Sequence, residues 1–96
     1  MIIRIVKMIF LENKVDEFTD LFELRKRLIR NTDGCSHLEL WRDTDNNNIF
    51  FTCSHWQSAA DLEHYRTSAF FKDTWAKTKP LFAVKAEAWT VVKADS

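Results

Sequence analysis

The sequence predicts an α+β fold of the ferredoxin-like kind, β-α-β-β-α-β, with an antiparallel sheet and its helices on one side. Three observations carry that prediction. A β-branched, aromatic run opens the chain and leads into one long amphipathic stripe. Two aromatic runs then flank a polar turn, as a hairpin does. A second helical region and a final β-rich run complete the order.

Residues 2–10, IIRIVKMIF, suit a strand despite Arg4 and Lys7. Asn13 is placed to cap the next segment, with Asp16 and Glu17 in the first turn favouring the helix dipole. Val15, Phe18, Leu21, Phe22, Leu28 and Ile29 fall on one helical stripe. Arg25, Lys26, Arg27 and Arg30 gather near its end, and NTDG stops it at Gly34. Residues 35–42 and 49–56 are the hairpin strands, and DTDNNN is their turn. Ser58 caps SAADLEHY and Ser68 restarts the helix as SAFFKDTWAKTK, until Lys79-Pro80 stops it. Phe71, Trp75 and either Phe70 or Thr74 mark its buried face. The last strand, AEAWTVV, runs from about Ala86 to Val92.

Ninety-six residues make one domain, 1–96, which removes somewhat over ~60% of the unfolded surface from water. The chain is 46% hydrophobic and 29% charged, an ordinary globular composition. Fourteen basic residues balance fourteen acidic ones, so nucleic acid and anionic membranes have no broad electrostatic call on it. No apolar run approaches the about 20 residues that span a bilayer. MIIRIVKMIF is interrupted by charges and does not read as a signal peptide. Two cysteines without a CxxC pair suit a reduced, cytoplasmic protein. A single glycine leaves no phosphate-cradling loop, so no nucleotide, flavin or nicotinamide cofactor is expected.

The strands do not separate into an apolar and a polar face. Cys35, His37, Glu39 and Trp41 alternate with Ser36, Leu38, Leu40 and Arg42, while Phe51, Cys53 and His55 alternate with Phe50, Thr52, Ser54 and Trp56. Large aromatics on both faces predict a sheet covered twice, by its own helices and by the second subunit of a homodimer.

The opening IIRIVKMIF, the strand GCSHLELWRD, the segment NIFFTCSHWQSAADLEHYRTSAFFKDTW and the closing EAWTVV together resemble an antibiotic biosynthesis monooxygenase (ABM) domain of the dimeric α+β barrel superfamily. The most specific element is a strand ending in Trp56, a Ser-capped helix and a Ser-x-x-Phe restart. The resemblance implies a homodimer with a pocket in each subunit between sheet and helices. It also implies one of several activities, among them cofactor-free oxygenation of aromatic polyketides, oxidative haem opening and processing of small signalling molecules. The haem-degrading branch uses an Asn, a Trp and a His at positions that correspond to Lys7, Tyr65 and Trp75, and none of the three matches. Many other members carry His where Tyr65 stands.

Candidate chemistry follows from residue type. If the register opposes His37 to His55, Glu39 falls opposite Cys53, and two histidines with a carboxylate approach a facial-triad metal set. The alternative is that these side chains hydrogen-bond one another, and no metal is expected because characteristic ligand spacing is absent. A one-residue slip would put the two sets on opposite faces. Trp56, Phe70 or Phe71, Trp75 and Trp89 are the expected walls of a pocket for a flat aromatic, and each also reads as plain core. Tyr65 is singled out because its hydroxyl needs a partner when buried and can orient a substrate. His64 and Arg66 flank it on other helix faces and are expected in solvent. Cofactor-free oxygenation needs a base, for which His55, His37 and Lys7 are the candidates. Cys53 is expected to be a small buried hydrophobe. The expected function is oxygenation of a small aromatic or quinol-like molecule without a cofactor. The alternatives are a non-catalytic dimeric module for a small apolar ligand, or a non-oxidative isomerase or lyase.

Overall fold

Ile2–Ile9 forms β1, the β-branched run that opens the chain. A 3-10 turn, Glu12–Lys14, leads into α1 (Val15–Arg30), and the hairpin strands follow as β2 (Cys35–Arg42) and β3 (Ile49–Trp56). Two shorter helices, α2 (Ala59–Arg66) and α3 (Ala69–Thr78), precede a 3-10 turn at Lys79–Leu81 and β4 (Glu87–Val91). This computed structural model describes residues 1–95. The sheet has the order β2-β3-β1-β4 with every neighbouring pair antiparallel, which is the predicted ferredoxin-like arrangement.

Local chemistry explains the helix boundaries. The Ser58 hydroxyl accepts from the Asp61 N–H at 3.1 Å and donates to the Asp61 carboxylate at 3.0 Å, starting α2. Ser68 Oγ accepts from the Phe71 N–H at 3.1 Å and donates to the Tyr65 carbonyl at 2.6 Å. One serine thus ends one helix, starts the next and fixes Tyr65 relative to Phe71. At α1 the expectation fails: Asn13 lies inside the 3-10 turn, Lys14 occupies the cap position, and no side chain caps the helix. Leu28 also departs from expectation, being 59% exposed. At about 100° per residue it lies some 80° off the stripe through Phe18, Phe22 and Ile29.

The hairpin register opposes His37 to His55 and Glu39 to Cys53, as the aligned pattern suggested. Between Cys35 and His37 the register shifts, so that Cys35 pairs with Trp56. The bulge turns Cys35 to the helix side, where it packs with Trp56 and Leu62, and away from the face of His37, Glu39 and Trp41.

The layer between sheet and helices holds two separate apolar clusters. Met8, Phe10, Phe18, Phe50 and Leu81 form one, with the rings of Phe10 and Phe18 stacked at 4.1 Å. Cys35, Trp56 and Leu62 form the other, with Tyr65 against it.

The chain's only glycine ties the second cluster to the end of α1. Gly34 has φ 85°, its carbonyl accepts from the Gln57 N–H at 2.8 Å, and a Cβ there would collide with the Asp61 side chain. Gly34→Ala is therefore expected to cost more than the ~1–2 kcal/mol of a left-handed L-residue alone. Urea unfolding checks this: the midpoint should fall with the slope unchanged.

Candidate functional site

Between the two clusters lies a cavity of about 260 Å³, just below the ~300–1,000 Å³ typical of ligand pockets. Its floor is the helix-facing side of the sheet, where Val6 and Met8 of β1 stand beside Ala88 of β4. Its roof is Phe18 and Phe22 of α1 with Tyr65, Phe71 and Trp75 of α2 and α3. Short side chains make the space: Ala86, Ala88, Thr52 and Ser54 below, and Thr74 and Thr78 above. Thr74, and not Phe70, completes the buried face of α3; Phe70 lies under the Arg25 guanidinium, 5.5 Å from its centre.

The roof is one continuous chain of aromatic contacts. Trp56 stacks on Tyr65 at 5.0 Å, Tyr65 meets Phe71 edge-on at 5.1 Å, and Phe71 lies near-parallel to Trp75 at 5.9 Å. Trp75 then meets Phe82, which touches Phe10 of the first cluster. Such pairs add about 0.5–1.5 kcal/mol each beyond burial, so the wall is stiff. Trp56 was expected in the pocket but is fully buried behind Tyr65, its indole N–H donating to Ser54 Oγ at 2.9 Å. Its contribution is to hold the Tyr65 ring.

Tyr65 lines the cavity, and its hydroxyl hydrogen-bonds no partner among the described residues. Burial, reinforced by Cys35, pushes its pKa far above the ordinary phenol value. It is a neutral O–H donor facing the cavity, not a base.

The expected bases are elsewhere. Lys7 alternates with Val6 and Met8, and His37 and His55 alternate with Leu38 and Ser54, so all three occupy the sheet face opposite the cavity. Trp89 alternates with Ala88 and lies on that far face too, 44% exposed. The expectation that these four residues share a pocket with Tyr65 is therefore corrected: the sheet stands between them. The far face has its own order. The His37 and His55 rings are 4.8 Å apart, and His37 Nε2 stands 3.1 Å from Glu39 Oε1. That hydrogen bond holds the Glu39 carboxyl below the usual range. No group of three His, Cys, Asp or Glu side chains among the described residues gathers closely enough to hold a metal ion. Cys53 is buried and its thiol is pushed up by desolvation, which keeps it protonated.

Two residues of the site escaped the sequence reading. Arg4 projects from β1 on the same side as Val6 and Met8, and Arg66, expected in solvent, reaches the cavity from the end of α2. The spacing of Arg4, Val6 and Met8, two residues apart along one strand, was the available signal.

Burial, with His37 and Lys93 adding to it, lowers the pKa of His55. The unfolded chain then takes up that proton first as pH falls below about 6.5, so stability rises with pH through this window. Thermal melts from pH 7.5 to 5 should show a falling midpoint that His55→Gln flattens. Glu39 acts in the same direction but lower, below its ordinary value of about 4.3.

Among the described residues no helix is long and apolar enough to cross a membrane. No curated protein matches the sequence significantly. Solved structures show the same fold at low identity. A conserved protein from Methanosarcina mazei Go1 superposes with TM-score 0.90 at 21% identity, covering 97% of this chain and 93% of that one. An antibiotic biosynthesis monooxygenase gives TM-score 0.91 at 14% identity, covering 98% and 99%. A Mycobacterium tuberculosis protein gives 0.90 at 16%, covering 99% and 96%. The family model described as antibiotic biosynthesis monooxygenase matches residues 1–77, the region that builds the sheet floor from β1 to β3 and nearly all of the aromatic roof, and the chain belongs to that family.

Proposed function

We propose that the cavity between sheet and helices binds a small aromatic or quinol-like molecule of one or two rings and oxygenates it with dioxygen. The observation that carries this reading is the stiff aromatic roof of Tyr65, Phe71 and Trp75 with one unengaged phenol donor over a mainly apolar floor. Family membership supports oxygenation and leaves the substrate open.

Among the described residues no His, Asp, Glu or Cys lines the cavity, so the proton that starts the reaction goes to water and not to His55, His37 or Lys7. This suits a substrate that ionises readily. For 1,4-dihydroxynaphthalene the ring-delocalised anion gives one electron to dioxygen, and the radical pair closes a C2–O bond. The protonated hydroperoxide then breaks its O–O and C2–H bonds and releases water. The product is 2-hydroxy-1,4-naphthoquinone, with one oxygen atom in the ring product and the other in water. Tyr65 donates to the substrate oxygen and orients the ring, while Phe71 and Trp75 stack on it. Oxygen uptake above the uncatalysed rate is expected with this quinol, falling at least about tenfold in Trp75→Ala, as loss of a positioning wall does. A protein that shows no turnover but gains melting temperature with the quinol would be a binding module instead.

We also propose that a second copy covers the far face of the sheet in the cytoplasm. Support comes from its apolar surface, where Trp41 and Trp89 are each 44% exposed and Val91 43%. Light scattering at micromolar concentration should give twice the 11.4 kDa chain mass. The double substitution Trp41→Glu, Trp89→Glu should give the single-chain mass.

A further inference from the structure

Arg4 and Arg66 reach one cavity from opposite layers, Arg4 from the middle of the sheet and Arg66 from the last turn of α2. Their engagement differs from that of Arg25, a half-buried arginine on α1. Arg25 is satisfied, with Asp73 Oδ2 at 2.9 Å and Thr74 Oγ1 at 2.8 Å. Arg4 donates only to Thr90 Oγ1, at 2.9 Å, and forms no ion pair among the described residues. A guanidinium carries five N–H donors in a planar fork suited to two oxygens. Arg66 pairs with Glu63 at 3.4 Å on the solvent side, a contact with both partners largely exposed and weak for that reason.

Burial and the neighbouring Arg66 both disfavour the charged form of Arg4, and Glu63 offsets this only in part. Two cations held at the same pocket repel, and a partly desolvated cation with no ion-pair partner in contact is costly. An anion in the pocket would relieve both costs. Among the described residues nothing else lining the cavity carries charge.

We propose that Arg4 and Arg66 form an anion clamp, and that the pocket's ligand is an aromatic anion. Its negative oxygens, from a carboxylate or an ionised ring hydroxyl, sit against the two guanidinium groups, and its rings lie on Phe71 and Trp75. The proposal rests on the aromatic-pocket reading above and adds to it the ligand's charge. It also supplies what the pocket lacks. A fixed cation lowers the pKa of a bound hydroxyl, so the reactive anion forms without a protein base.

Binding of three probes to the full chain, followed by calorimetry near neutral pH, tests this. 2-Naphthoate is the anion, 2-naphthamide its neutral counterpart, and 2-naphthol reports whether a ring hydroxyl is ionised on binding. 2-Naphthoate should bind at least about tenfold more tightly than 2-naphthamide, a difference of about 1.4 kcal/mol. Alternatively, the absorbance of 2-naphtholate should appear on binding at a pH where the free compound is neutral, which assigns the hydroxyl class. Arg4→Met should abolish whichever signal is seen, Arg4→Lys should keep part of it, and Arg66→Gln should weaken it. Arg66→Gln, at an exposed position, decides the matter if Arg4→Met melts below the working temperature. Equal affinity for 2-naphthoate and 2-naphthamide with 2-naphthol bound neutral overturns the clamp and leaves the aromatic pocket standing. So does an anion preference that survives both Arg4→Met and Arg66→Gln. If none of the three probes binds, the aromatic-pocket reading itself fails and the clamp with it.

Discussion

The pleat of β1, paired on both edges, is the constraint on which the rest of the structure depends. β1 lies between β3 and β4, so its register sets which residues of three strands point to the helices. Side chains alternate with period two, and a one-residue slip would exchange every one of them. With Arg4, Val6 and Met8 toward the helices, Thr52 and Ser54 of β3 and Ala88 of β4 must share that face. Lys7, His55, Cys53 and Trp89 must then share the other. The separation of the histidines from the cavity is thus a consequence of the same pairing that closes the sheet.

The cavity exists because the helix-facing layer is packed at its two ends and underfilled in the middle. Large side chains concentrate in the cluster around Phe10 and in the cluster around Trp56. Between them the sheet offers Ala86, Ala88, Thr52 and Ser54, and α3 offers Thr74 and Thr78. Interiors are ordinarily close-packed, and an apolar void of this size is costly unless something else fills it. The aromatic chain from Trp56 through Tyr65, Phe71 and Trp75 to Phe82 spans the gap and keeps the roof from collapsing. Ser68, bonded to both Tyr65 and Phe71, fixes the one break in that chain.

Much of this was legible in the residues alone. The β-branched opening, the Ser58 and Ser68 caps and the polar hairpin turn each report local physics, and each stands where expected. The hairpin register was open in the sequence, where a one-residue slip remained an alternative, and the structure selects the pairing of His37 with His55. Which face of the sheet meets the helices was not legible either. Both faces are rich in aromatics, and alternation within each strand shows neither whether His37, His55 and Lys7 share a face nor which side they are on; the strand pairing shows both. The bulge that turns Cys35 inward has no signal in a chain with Ser36 where any residue fits. Asn13 has the chemistry of a cap, but a 3-10 turn takes that position. Arg4 was visible as a charge in an apolar strand, and its meaning came only when the helices proved to cover its side.

The central claim is that ligand binds between sheet and helices and not on the far face with the histidines. The four tryptophans are distributed to test it: Trp75 lines the cavity and Trp56 lies behind Tyr65, while Trp41 and Trp89 are on the far face. Their indole N–H resonances, followed by NMR during titration with 2-naphthoate, make the most direct measurement. The structure predicts that Trp75 shifts most and Trp56 next, with Trp41 and Trp89 unmoved. Shifts confined to Trp41 and Trp89 would contradict the account and return the site to the face of His37 and His55.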